Sequence, residues 1–140
     1  MKEKTLSIIK PDGIRANLIG KVLSRLEEAG LRVKAMKMLH LTKKEAMGFY
    51  VVHKERHFYE SLTSFMSEGP VLVMVLEGEN AIQVLRGAMG KTNPKDADPG
   101  TIRRDFAESL ERNIIHGSDS QDSAQYEIGY FFNALEIMSD

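Results

Sequence analysis

Asn113-Ile114-Ile115-His116-Gly117-Ser118-Asp119, near the end of a 140-residue chain, places one imidazole between an apolar pair and a run of small polar residues. β-Branched isoleucines fit a pleated sheet, so Ile114 and Ile115 predict the end of a buried strand. Gly117 frees the backbone to turn, and Ser118, Asp119 and Ser120 are of the types that cap a helix N-terminus. His116 is therefore expected at a strand-to-turn-to-helix junction, where backbone N–H groups and the positive end of a helix can face an anion. A histidine so placed either reacts or packs.

Outward from this stretch, the longest apolar run is Val71-Leu72-Val73-Met74-Val75-Leu76, which reads as a central strand. Thr5 to Ile9 alternates and reads as a first strand, stopped by Lys10-Pro11-Asp12-Gly13. Ile19, Val22, Leu23, Leu26 and Ala29 recur at helical spacing, with Gly30 where a C-cap belongs. Leu31 to Leu41 reads as a second strand whose alternation slips near Ala35 and Met36, the mark of a bulge or of burial on both faces. Thr42-Lys43-Lys44-Glu45 has the form of a capping box and opens a short helix through Tyr50. A further helix sets Phe58, Leu62, Phe65 and Met66 on one side and ends at Gly69-Pro70. Asn80 is the expected cap of the next, in which Ile82, Leu85 and Met89 share a face and which Gly90 ends.

Lys91 to Gly100 is a polar loop holding Pro94 and Pro99, of a length often tied to function. Thr101 restarts a helix with Ile102, Phe106 and Leu110 in phase. After the strand expected over Asn113–His116, a last helix carries Ala124, Ile128, Phe131, Phe132 and Leu135 inward. The order β-α-β-α-α-β-α-α-β-α fits a doubly wound parallel sheet or a ferredoxin-like split βαβ arrangement, and periodicity does not choose between them. No repeat, linker or low-complexity segment interrupts residues 1–140, which read as one domain.

Composition narrows the function. With 19 basic and 20 acidic residues the net charge is −1, so nucleic-acid binding through a basic surface is not expected. The absence of cysteine excludes disulfides and thiolate metal sites and suits a reducing cytosol. Met1-Lys2-Glu3-Lys4 begins no signal peptide, and Val71–Leu76 is far too short to span a bilayer, so a cytoplasmic protein with no membrane partner is expected.

Most candidate chemistry dissolves on inspection. His53 and His57 are four apart, but Lys54 and Arg56 lie between them and would oppose a bound zinc ion. His40, in the second strand, reads as a packed or surface residue. Gly90-Lys91-Thr92 resembles the tail of a P-loop, yet Leu85 stands where its first glycine should be. Asp96–Gly100 fails as a calcium loop because its glycine comes early and Ala107 stands at the twelfth position. An RNA-binding ferredoxin-like domain would want aromatics on its central strands, which Val71–Leu76 lacks. Lys10, Arg86, Arg103 and Arg104 are each unremarkable as surface charges. The first three, however, lie at element ends from which long cations can converge on one anion.

Taken together, Thr5–Gly13 (TLSIIKPDG), Gly48-Phe49-Tyr50, Gly69-Pro70-Val71, Leu76–Ala81 (LEGENA), Thr92-Asn93-Pro94, Pro99–Arg103 (PGTIR) and Asn113–Ser120 (NIIHGSDS) resemble the nucleoside diphosphate kinases over essentially the whole chain. The resemblance implies an α+β fold of the ferredoxin-like βαββαβ kind, a four-stranded antiparallel sheet covered by helices. It implies transfer of the γ-phosphate of a nucleoside triphosphate, mainly ATP, to nucleoside diphosphates. The implied route is ping-pong through phosphohistidine, with Mg2+ on the substrate phosphates. His116 would be the nucleophile, Glu127 the carboxylate on its other ring nitrogen, and Ser118 the hydroxyl supporting that carboxylate. Arg86, Thr92 and Arg103 would hold phosphate, Lys10 and Asn113 sugar hydroxyls and phosphates. Tyr50 would stand beside the histidine, Phe58 and Leu62 would clamp the base, and Asp119 would reach the metal through water.

Such a base clamp implies broad base specificity, since every base offers a π-face. The family also assembles as homo-oligomers, tetramers or hexamers, and Ile137 and Met138 are expected near an interface. Lys91, His57 and Arg104 depart from the commonest family pattern, with modest effects on affinity expected. A non-catalytic nucleotide-binding protein on the same fold is the competing reading, disfavoured because the nucleophile and its partners are all present.

Overall fold

Val71–Leu76 becomes the middle of the molecule. In the computed structural model, which describes residues 2–139, it lies in β3 (Val71–Glu79). With β1 (Lys2–Ile9), β2 (Arg32–Leu39) and β4 (Ile115–Gly117) it forms a four-stranded sheet in the order β2-β3-β1-β4. Every neighbouring pair is antiparallel, which leaves the ferredoxin-like α+β arrangement and rejects the parallel one. Met1 and Asp140, the ends of the domain expected over 1–140, lie outside the described residues.

A strand that is apolar at every position must be covered on both faces. Val71, Val73 and Val75 enter one core with Phe49, Tyr50, Phe65, Phe131 and Phe132. Leu72, Met74 and Leu76 enter the other with Val22, Leu26, Leu85 and Ile102. The first core lies under α3 (Lys43–Phe49), α4 (Tyr59–Met66) and α7 (Gln121–Phe131), the second under α2 (Ile19–Glu28), α5 (Ala81–Met89) and α6 (Ile102–Phe106).

Several expectations need correction. Lys10-Pro11-Asp12-Gly13 does not merely punctuate: Pro11–Arg15 is a short helix, α1, since proline at the first helical position loses no hydrogen bond. Thr5 and Ser7 are fully buried, so the alternation of β1 separates two covered faces rather than core from solvent. The slip in β2 falls at Lys34, between Val33 and Ala35, where the carbonyl accepts the Met138 N–H at 2.9 Å. Asn80 precedes α5 in a left-handed conformation and makes no side-chain cap; Glu3 from β1 accepts the Ile82 N–H instead, at 3.0 Å.

Leu110 lies beyond α6 and is 60% exposed. Leu135 lies beyond α7 and is 91% exposed, because the helix stops at Phe131 before that turn comes round to the core. β4 begins at Ile115, not at Asn113. Ile137 packs on the first core, while Met138 is exposed.

Candidate functional site

β4 is three residues long and pairs Ile8 with His116 on the flank of β1. Ser7, opposite Gly117, donates its hydroxyl to the His116 carbonyl at 2.8 Å, which fixes the backbone under the imidazole. The ring is then fixed from α7. His116 Nε2 meets Glu127 Oε1 at 2.8 Å, and Ser118 Oγ donates to the same oxygen at 2.7 Å. Ser118 is itself tied to the sheet, accepting the Leu6 N–H at 3.3 Å. A carboxylate only accepts, so the imidazole proton belongs on Nε2 and the lone pair on Nδ1. Phe49 and Tyr50 present their ring edges to the imidazole, with centroids 5.3 and 5.9 Å away. α7 starts where the sequence placed it, with Ser120 accepting the Ser123 N–H.

Beside the histidine, cations have been drawn out of water. Lys10 Nζ donates to Asn113 Oδ1 at 2.8 Å, and Asn113 Nδ2 donates to the Leu110 carbonyl at 3.0 Å. Arg103, from α6, spans three carbonyls: Ile115 at 2.7 Å, Gly90 at 3.2 Å and Asn113 at 3.4 Å. Arg86, from α5, donates to the Gly117 carbonyl at 3.2 Å. Burial, and then the neighbouring Arg103 charge, bring Lys10 down to about 8. Burial, and then Arg86, bring Arg103 down to about 10. Burial pushes the Tyr50 hydroxyl up, and that hydroxyl has no hydrogen-bond partner among the described residues. Buried cations bonded to neutral carbonyls, with an idle hydroxyl nearby, form a place where an incoming anion would relieve an electrostatic cost.

The remaining residues of interest lie around this centre in less contact. Thr92 is exposed and meets the centre through its carbonyl, 3.4 Å from Asn113 Nδ2. Asp119 is exposed, and the Ser123 hydroxyl at 2.7 Å holds its carboxyl below the usual range. Among the described residues no three His, Asp or Glu side chains gather as a metal cage.

Phe58 opens α4 and is half-buried; its ring is reached from Tyr50 through His53, by steps of 6.4 and 5.6 Å. Leu62, one turn on, packs against the first core. Of the unusual residues, Lys91 is exposed, His57 sets its ring edge on Phe58 at 5.6 Å, and Arg104 donates to the Ala97 carbonyl at 2.9 Å, pinning the polar loop.

Reading the sequence overlooked Ser7, Phe49 and Asp12. Ser7 reads from the sequence only as one member of an alternating strand, yet it is fully buried. Its one available signal was position, since it lies directly before the Ile8-Ile9-Lys10 end of that strand. Asp12 looked like turn punctuation, yet its Oδ2 accepts the Ile114 N–H at 3.0 Å.

A sequence model of the family described as Nucleoside diphosphate kinase matches residues 3–137. The chain is 64% identical over 136 residues to the nucleoside diphosphate kinase of Desulfosudis oleivorans, covering 97% of this chain and 98% of that protein. It is 59% identical over 138 residues to that of Nitratidesulfovibrio vulgaris, covering 99% of each. Among solved structures, the Aquifex aeolicus nucleoside diphosphate kinase superposes with a TM-score of 0.97 at 45% identity, covering 99% of this chain and 100% of that one. A halophilic nucleoside diphosphate kinase from Halobacterium salinarum, solved in complex with CDP, gives 0.94 at 39% identity, covering 99% and 93%.

Proposed function

Because the chain belongs to the nucleoside diphosphate kinase family and is thus a phosphotransferase, we propose that it moves phosphate in two half-reactions with His116 as the carrier. One observation supports this above the rest: Glu127 and Ser118 hold the Nε2 side of the ring, leaving the lone pair on Nδ1, while Arg103 is bonded to the carbonyl of the preceding residue, Ile115. In the first half-reaction Nδ1 attacks the γ-phosphorus of a nucleoside triphosphate, mainly ATP. The bond to the β–γ bridging oxygen breaks, and the diphosphate leaves. In the second, the terminal oxygen of another diphosphate takes the phosphoryl group from Nδ1, and the imidazole lone pair returns. Splitting one transfer into two lets a single site serve donor and acceptor in turn.

Phosphoryl transfer needs positioning and charge neutralisation more than a strong base. Arg86, Arg103 and Thr92 supply phosphate contacts, and Lys10 and Asn113 the contacts to sugar hydroxyls and phosphates. The idle Tyr50 hydroxyl lies near enough to Glu127 and Arg103 to feel both charges. Glu127 keeps the tautomer fixed as the ring gains and loses its phosphoryl group. Asp119 would reach toward a magnesium ion on the substrate phosphates, which would supply neutralisation of their charge. Phe58 and Leu62 clamp the base by stacking and apolar contact, which grips every base about equally; CDP bound to the Halobacterium relative is in keeping with that tolerance. The working unit is one domain over residues 1–140, assembled as a homo-oligomer in the cytoplasm. No helix of the described residues is long and apolar enough to cross a membrane.

The decisive test is to incubate the protein with γ-labelled ATP and magnesium. Acid-labile, alkali-stable label is expected on the wild type, chasing onto added GDP, and none on His116→Ala. An unlabelled wild type would sink the proposal.

A further inference from the structure

Three described residues other than glycine have positive φ, and two of them are asparagines, which tolerate it. The third is Ile114, at φ 74°, two positions before His116. A β-branched residue is a genuine outlier there. The Ile115 N–H donates back to the Asn113 carbonyl at 2.8 Å, closing a three-residue γ-turn, the strained kind when φ is positive. A strained peptide persists only where its surroundings over-determine it. Here both polar groups of Ile114 are taken from one direction: Asp12 Oδ2 accepts its N–H at 3.0 Å, and the Lys10 N–H donates to its carbonyl at 2.8 Å. Gly13 completes the clasp, since a Cβ there would lie 2.8 Å from Ile9 Cγ2 and 3.2 Å from Ile114 Cγ2.

Asp12 is an awkward group to keep in this place. Its Oδ1 is buried with no hydrogen-bond partner among the described residues, a costly state for a carboxylate. What the turn accomplishes accounts for it. On its near side Asn113 Oδ1 receives Lys10 at 2.8 Å; on its far side the Ile115 carbonyl receives Arg103 at 2.7 Å; His116 is the next residue. The γ-turn thus sets the angle between the buried cations and the imidazole.

We propose that Asp12 is a positioning residue: its carboxylate latches the left-handed Ile114 peptide and so fixes His116 relative to Lys10 and Arg103. The proposal rests on the reading of His116 as phosphate carrier. Asp12 acts through Ile114 and not on the nucleotide, and a misplacement of about 1 Å can cost roughly a hundredfold in rate. The bland alternative is that Asp12 only favours the first turn of α1.

The test compares wild type, Asp12→Ala and Asp12→Asn by rapid-quench phosphorylation of His116 at saturating labelled ATP, alongside circular dichroism and hydrogen exchange of the Ile114 amide. Folded Asp12→Ala is expected to be phosphorylated at least about tenfold more slowly, with its Ile114 amide exchanging freely. Asp12→Asn, whose carbonyl still accepts, should recover most of the rate and the protection. A folded alanine variant at the wild-type rate, or an asparagine variant as slow as alanine, overturns the latch. Should the alanine variant not fold, an unprotected Ile114 amide in wild-type protein overturns it alone. A wild type that takes no label defeats the phosphohistidine reading instead, and the latch then stands or falls on the exchange data.

Discussion

The two walls of the site are built to different standards. The wall of β1, β4 and Arg103 is buried and cross-linked: Lys10 is 6% exposed, Arg103 5%, Asn113 2% and Ser118 not at all, and each side chain is bonded to another element. The opposite wall, from Val51 to α4, lies largely in solvent; Val52 is 81% exposed, and the Phe58 ring is flanked by two histidines rather than sealed in a core. If His116 carries phosphate as proposed, transfer to and from its ring needs fixed charges and a fixed tautomer, and the locked side chains of this wall would supply both. A base that is only stacked needs a face to lie on, and a wall left loose admits bases of different size. On the proposed reading, position is built in where the reaction would demand it and omitted where breadth would be useful.

The contrast breaks first at Arg103. Arg103→Ala removes a buried charge and leaves the Ile115, Gly90 and Asn113 carbonyls without their donor. Loss of one charge-stabilising donor typically costs about a hundred- to a thousandfold in turnover, and rapid-quench phosphorylation of folded protein should show a fall of that order. On the other wall, Phe58→Ala should cost about 1–3 kcal/mol of stacking, read as a raised KM with kcat nearly unchanged. The increase should be alike for purine and pyrimidine diphosphates, whose kcat/KM values should differ by only about tenfold. A loss in kcat at Phe58, or a far wider spread between bases, would erase the distinction between the walls.

The same distinction marks how far the sequence could be read. Hydrophobic period located β3 and α5, and a capping box located α3, because local pattern and tertiary burial agree there. Local pattern failed where tertiary contacts overrule it. Ile114 has strand chemistry but left-handed backbone, since Asp12 and Lys10 hold it across roughly a hundred residues of chain. Ser7 alternates like a surface residue but lies on a doubly covered strand. His116 and its capping run were legible as a presented imidazole; that Glu127, Ser118 and Lys10 lie around it was carried by family resemblance, because residues from distant segments leave no periodic trace. The loose wall was the least legible: Phe58 shares its helical phase with Leu62 and with the core residues Phe65 and Met66, so spacing does not set it apart.

The smallest effect separates the walls by pH. Lys10 has lost most of its preference for the charged form, reaching about 8 where an unburied lysine stands at 10.5. In free enzyme the charge offered to an incoming phosphate therefore fades as pH rises through about 8, and kcat/KM should decline there, because that ratio reports groups of the free enzyme. Between about 8 and 10.5 the unfolded chain holds the Lys10 proton and the folded chain does not, so the Lys10 contribution to stability grows with pH. Activity should thus fall while the Lys10 contribution to stability, read as the difference between wild type and Lys10→Arg, grows. With nucleotide bound, phosphate favours the protonated amine, so kcat at saturation should stay flat over the same range. Lys10→Arg, which stays charged, should remove the decline in its own normalised profile. A decline in kcat parallel to kcat/KM would mean that the titrating group acts in the transfer step itself, and that the buried wall does not hold its charge once the nucleotide is in place.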